Sequence, residues 1–493
     1  MSQLAGTMLA LALLALVAWG LVIVWRAPFR ALGLLVPGMA FHNFVLMVLL
    51  RLHTPDVLIR VVQLWKEGIL LLLLVLVVMA GRRAWRSGQR PRLQALDWVA
   101  IAFTVVTIVY FVLPASLLHG SANLHQRLIG LRIVGLMPAL YLFGRVFQPA
   151  RRQDLQWVGG VIVGAAAVVG AFGLVELWLI PTDVWLSWGV NQLSTFFGFA
   201  YNGPKGLPAN FFQTTAEGFL LRRMVSTYVS PLGIAYAGIL VIPIAAALLL
   251  QRDDTSSARR WARWILWLAA FLLIAGILFS LTRLALALMV VELLFLAILF
   301  RRRWLLYATP VVALAAVFML FQYVEVGPLL NRDLQPIANR PAHLHITTAA
   351  DPSLKEHGSL LGYDIRYVLA HPLGTGLGTS VHRFGASEGT GESAIFDMFG
   401  ELGAIGGLLY LALYLGAAGM GAMAYLRLGK DPLRAALPLV AFVGGLALFP
   451  ITVTSDLWGD FATTFLFWWA AGAAMTLTTI PVVSRVREPA TTM

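Results

Sequence analysis

Arg222 and Arg223 come shortly before Ser230-Pro231, where the apolar run Leu232 to Leu250 begins. Pro231 fits the first turn of a helix and Ser230 can cap it, so the two guanidiniums flank a helix start whose free N–H groups and dipole favour phosphate. Arginines that merely snorkel to a membrane interface are the plain alternative. Arg283 closes the short turn Ser280-Leu281-Thr282-Arg283 between two apolar runs. It has little room to leave the membrane surface, and a lipid diphosphate would suit it, because bidentate guanidinium forks can neutralise a departing diphosphate without a metal ion. A surface arginine ending a hairpin is the other reading. Arg366 and His371 follow on a short helical pattern, with Tyr363, Tyr367 and Ala370 at helical spacing, that stops at Pro372 and the glycines 374, 376 and 378. They could face the same cavity or simply a solvated helix surface. Three carboxylates, Glu392, Asp397 and Glu401, then accompany the chain back into apolar sequence. Glu392 at the mouth, partly desolvated, is a candidate general base for a sugar hydroxyl, whereas Asp397 and Glu401 share a helix face and are expected to pair with cations across the bundle.

The elements that must position these residues are membrane helices. The chain has 493 residues, 59% hydrophobic and 12% charged, against roughly 25% charged in ordinary soluble domains. Apolar runs predict about thirteen spans, with twelve or fourteen allowed by Pro28 and Pro37 near the amino terminus. They fall near residues 5–25, 31–50, 58–80, 96–118, 128–147, 156–180, 229–250, 261–280, 283–300, 304–322, 395–425, 435–452 and 460–482. The first is read as a retained span, because it lacks a basic leading region and a cleavage site. The expected fold class is therefore all-α, a polytopic helical bundle forming one transmembrane domain over residues 1–493. The net charge of +13 sits in short gaps, among them Arg82, Arg83 and Arg86, Arg151 and Arg152, and Arg301 to Arg303. Such clusters mark cytoplasmic loops and argue against a nucleic-acid partner. An odd span number then puts the amino terminus outside and leaves two long outer segments, residues 181–228 and 324–394. Trp185 and Trp188 read as interface anchors. There is no cysteine, hence no disulfide or thiolate metal site.

In order along the chain, Arg223 with Thr227 and Pro231, Thr282-Arg283, His371-Pro372-Leu373-Gly374-Thr375-Gly376-Leu377-Gly378 and Glu401-Leu402-Gly403-Ala404-Ile405-Gly406 resemble the O-antigen ligase and O-antigen polymerase (Wzy-type) superfamily of bacterial polysaccharide glycosyltransferases. The resemblance covers roughly residues 220 to 410. It implies a glycosyltransferase C-like fold in the bacterial inner membrane, with the site facing the periplasm. It also implies an undecaprenyl-diphosphate-linked oligosaccharide donor, a glycan acceptor, inversion at the anomeric centre, no cofactor and no metal; the one acidic doublet, Asp253-Asp254, lies in a basic gap. A polysaccharide chain-length regulator is a further partner it allows. Where ligases carry a catalytic histidine, this chain has Glu392-Ser393, which shifts weight from ligation onto lipid A core toward polymerisation of O-antigen, capsule or exopolysaccharide. In this scheme Glu392 is the base, Arg223 and Arg283, with Arg222 beside them, hold the diphosphate, and Arg366 and His371 orient the reactants. A protein O-oligosaccharyltransferase is a related alternative. A transporter or flippase of lipid-linked sugars, with Lys66, Glu67, Glu176 and Glu292 as pathway charges, is the non-enzyme alternative; it calls for broken helices in matching halves, and the sequence suggests none.

Overall fold

The computed structural model describes residues 2–88, 92–149, 151–198, 201, 203, 206–214, 220–251, 257–323, 352–381, 389–391, 393–429 and 431–479. Among them, 13 helical segments are long and apolar enough to cross a membrane, and the chain is a polytopic, all-α membrane protein. The amino-terminal half builds α1 (Ser2–Arg26), α2 (Arg30–Arg51), α3 (Asp56–Gln63), α4 (Trp65–Arg86), α5 (Ala95–Val112), α6 (Leu124–Val146) and α7 (Arg152–Leu179). Two short helices, α8 (Thr182–Ser187) and α9 (Val190–Phe197), and the antiparallel strands β1 (Phe212–Thr214) and β2 (Leu220–Arg222) fill the first long segment. The carboxyl-terminal half holds α10 (Pro231–Leu249), α11 (Ser257–Phe279), α12 (Arg283–Phe300), α13 (Arg303–Phe321), α14 (Pro352–Ala370) and α15 (Ala394–Leu428). It ends in α16 (Ala436–Leu439), which runs through a π turn at Val440–Gly444 into α17 (Gly445–Thr454), and α18 (Phe461–Thr479).

Helix starts follow local chemistry. Asn123 and Gln126 form a reciprocal capping box on α6, Pro231 occupies the first turn of α10, and the Ser393 hydroxyl accepts from the Phe396 amide at the head of α15. Ser230 stands at the cap position of α10, but its side chain does not cap; its Oγ meets Asn210 Nδ2 at 3.4 Å. The buried centre is α10 and α18, where Trp468 and Trp469 are wholly covered and Tyr414 stacks on Phe467 at 4.9 Å between centroids. Close approach is set by small residues: a Cβ at Gly144 would collide with the Trp469 carbonyl, and one at Gly472 with that of Tyr141. By contrast α1, α4 and α13 are mostly exposed apolar surface, as lipid-facing helices should be.

Three sequence expectations change. The third span is interrupted at Leu64, between α3 and α4, and the eleventh at Gly403, whose φ of 67° and ψ of −174° break α15; broken helices are thus present where none was expected. Trp185 is not an interface anchor: it is fully buried, donates to Glu176 at 3.1 Å and packs edge-on against Phe44, Trp188 and Phe211.

Candidate functional site

Arg222 and Arg223 point into different surroundings, as neighbours on a strand end should. Arg222 is buried against α7. Its Nη2 lies 2.6 Å from Glu176 Oε1 and its Nη1 2.8 Å from the Ile180 carbonyl, while Glu176 also accepts from Trp185 and from the amides of Val225 and Ser226. Arg222, expected beside Arg223 at the diphosphate, is thus placed instead in a buried ion pair that fixes the segment to α7.

Arg223 crosses to the α11–α12 hairpin. Its Nε donates to the Ser280 carbonyl at 2.7 Å and its Nη2 to Thr282 Oγ1 at 2.8 Å, next to Arg283 at the first turn of α12. Burial pushes the Arg223 guanidinium down to about 10; the Tyr236 phenol opposes that shift and the like charge of Arg283 adds to it. Arg223 remains a cation at neutral pH, within electrostatic reach of the Arg283 side chain. The backbone around them is strained: Ser226, Val229 and Leu281 have φ of 46°, 56° and 52°, three of the six described non-glycine residues with positive φ. Left-handed backbone at residues other than glycine costs energy and gathers where surrounding packing fixes a functional geometry.

The same end of the bundle receives the head of α15 and the turn before α18. Tyr236 on α10 donates to Ser455 Oγ at 3.1 Å, and the Ser455 carbonyl accepts from the Ala394 amide at 3.1 Å. Ser393 Oγ reaches the Thr452 carbonyl at 3.2 Å, and Gly391 N donates to Asp364 Oδ1 at 2.5 Å. Glu392 lies outside the described residues; both its neighbours are anchored at this mouth. The polar turn Ser455-Asp456-Leu457-Trp458-Gly459-Asp460 adds two acids that sequence reasoning missed. Asp456 is exposed, whereas Asp460 is half-buried and accepts from the Thr463 hydroxyl. Burial pushes the Asp460 carboxyl up to about 6, against the hydrogen bonds from Thr463 and Ala462. The signal was available: two carboxylates in a short gap between apolar runs.

Asp397 and Glu401 do occupy one face of α15. Asp397 takes a hydrogen bond from the Thr390 hydroxyl, with no ion pair to a cation among the described residues, and Glu401 Oε1 accepts the Ser380 amide at 3.0 Å. The glycines of the His371–Gly378 stretch thread backbone through the break in α15. Gly374, Gly376 and Gly378 have φ of 73°, 100° and 90°. A Cβ on Gly374 would collide with the Gly403 amide, one on Gly378 with the Gln126 carbonyl. Thr375 N and Gly376 N bond to the Gly400 and Glu401 carbonyls, and Ala404 N to that of Pro372. These donors are spent within the protein. Arg366 is exposed, with its guanidinium along Gly362, and His371 Nδ1 lies 3.0 Å from the Tyr367 carbonyl of its own helix. Among the described residues, no contact joins either to Arg223 or Arg283.

Neither a protein-family model nor a curated protein matches this chain. What the site can do follows from its charges. Two guanidiniums, one just after strand β2 and one in the first turn of α12, beside the Tyr236 phenol, can hold a multivalent anion.

Proposed function

We propose that the protein is an inverting, metal-independent glycosyltransferase of the bacterial inner membrane, which polymerises or transfers undecaprenyl-diphosphate-linked glycan at the periplasmic face. The observation that carries this reading is the convergence of Arg223 and Arg283 on the bundle end where α15 begins. The resemblance of residues 220 to 410 to O-antigen polymerases and ligases, with their glycosyltransferase C-like fold, supports it. In the reaction, the acceptor hydroxyl attacks the anomeric carbon from the side opposite the leaving group and gives its proton to a carboxylate. Glu392 is the assigned base. The bond from the anomeric carbon to the diphosphate oxygen breaks, and its electron pair leaves with the diphosphate, where the two guanidiniums offset the growing charge. Their preorganisation beside buried, strained backbone lets them do so without reorganising at the moment of reaction.

Transport of lipid-linked sugars gains something from the interruptions at Leu64 and Gly403. At Gly403, however, the break is filled by the backbone of residues 372–376, which favours a fixed site over a moving gate. The deciding experiment reconstitutes the protein with undecaprenyl-diphosphate-linked repeats. Longer glycan and released undecaprenyl diphosphate are expected from wild type and neither from Glu392→Gln. Transfer to lipid A core or to protein would identify a ligase, and lipid crossing the bilayer with no diphosphate released would overturn the enzyme reading.

A further inference from the structure

A second cationic cluster lies on α2, α4 and α6. Lys66 is almost wholly buried, with its Nζ 3.1 Å from the Gln63 carbonyl, 3.5 Å from Glu67 Oε2 and 3.5 Å from His42 Nε2. Arg132, 41% exposed, reaches Glu67 Oε1 at 2.6 Å and lies over the Phe461 ring at 4.6 Å. Two cations thus share one carboxylate. The indole of Trp65 donates to His42 Nδ1 at 3.1 Å. An indole N–H can only donate, so Nδ1 is an acceptor and the ring proton of the neutral imidazole sits on Nε2. That proton faces the Lys66 ammonium, which is also a donor, and an acceptor oxygen placed between them would satisfy both.

The cluster lies level with the arginine pair. Asn43, next to His42, donates to the carbonyl of Tyr228 just ahead of α10, and Phe461 under Arg132 is the first residue of α18. On the same helix α4 an apolar groove of about 440 Å³ opens between α1 and α4, lined by Leu21, Val22, Trp25, Gly68, Leu71 and Val75. Gly68, which directly follows Glu67 in the chain, is the groove residue nearest the cluster in sequence, and nothing lies within 4 Å of where its Cβ would be. A charged head next to a lipid-facing channel has the shape of a lipid diphosphate.

We infer that Arg132, Lys66 and His42 hold the diphosphate of a second polyprenyl lipid, whose chain lies in the α1–α4 groove. This rests on the glycosyl-transfer reading, since joining two lipid-linked glycans requires two such head groups at one end of the bundle. The cluster supplies the acceptor's place and the arginine pair the donor's.

Native mass spectrometry of the full-length protein titrated with undecaprenyl diphosphate tests it. Wild type should take up two lipids. Arg132→Gln, and Gly68→Phe, whose Cβ would enter open space and whose ring would occupy the groove, should each retain one, with the second binding event weakened on the order of tenfold to a hundredfold. The Arg223→Lys, Arg283→Lys double variant should lose the other lipid and keep this one. Two lipids in both Arg132→Gln and Gly68→Phe would overturn the inference, as would equal displacement by phosphatidylglycerol or by inorganic diphosphate, which would mark an ordinary lipid seat or a free-anion site. A single lipid in wild type, lost only with Arg223 and Arg283, would end this inference and leave the proposed function standing. No lipid bound at all would end both.

Discussion

Arg222 and Arg223 are consecutive in the chain, yet the corners they enter are opposites. The Arg222 corner is electrically closed: Glu176 meets one guanidinium, one indole and two backbone amides inside a shell that contains Trp185 and Phe211. At the Arg223 corner the guanidinium bonds to neutral oxygens and lies beside a second cation, on backbone that departs from relaxed geometry three times. The first corner spends its charge on stability. The second keeps charge concentrated at the mouth of the bundle, the usual mark of a place organised for a ligand.

The largest effect should come from breaking the closed corner. Glu176→Gln leaves Arg222 as a buried charge without its carboxylate and is expected to destabilise by about 3–5 kcal/mol, read as a lower midpoint of thermal unfolding in detergent or nanodiscs. Replacing both residues with apolar ones of similar size should restore most of that loss. A neutral Glu176→Gln would erase the distinction between the corners.

At the open corner the expected loss falls on turnover. Arg223→Lys or Arg283→Lys keeps the charge but not the planar fork, and each should lower turnover of a lipid-linked donor about 10²–10³-fold while unfolding shifts little. Wild-type turnover in either variant would reduce that arginine to a structural hairpin clamp. Between these cases stands Gly403→Ala. Its added methyl would press on the Leu373 and Pro372 carbonyls in a left-handed conformation, costing about 1–3 kcal/mol. Turnover should fall with it, because the head of α15 is carried on that break. A fully stable Gly403→Ala with normal turnover would show that the interlock does not position the mouth.

The contrast between the corners also separates what the residue string could convey from what it could not. Span number and placement were legible because a bilayer imposes length and hydropathy on every crossing, and the convergence of Arg223 with Arg283 was legible because a tight hairpin and a helix start leave few alternatives. The fate of Arg222 was not, since its partner lies on α7, far upstream, and nothing local marks Glu176 as that partner. The glycines after His371 were legible only as the end of a helical pattern; their contacts with Gly403 and Gln126 show the packing they serve. Ser455 to Asp460 carries a readable signal, a pair of acids in a short gap between apolar runs.

Asp460 gives the smallest and most specific test, because its neighbour Tyr228 belongs to the segment joining the two corners. Its folded carboxyl titrates at about 6 because of burial, whereas an unfolded aspartate titrates near 4. Between those values the native state binds more protons than the unfolded one, so stability is highest below the unfolded value and falls as pH rises through about 6. Asp460→Asn keeps an oxygen that can cap α18 but cannot ionise. Unfolding midpoints followed from about pH 4 to pH 7 should therefore decline for wild type by more than for the variant, and the variant should be at least as stable at pH 7. Parallel profiles would show that the turn before α18 is open to water, and that the mouth between the corners is wetter than the buried contacts of Tyr228 imply.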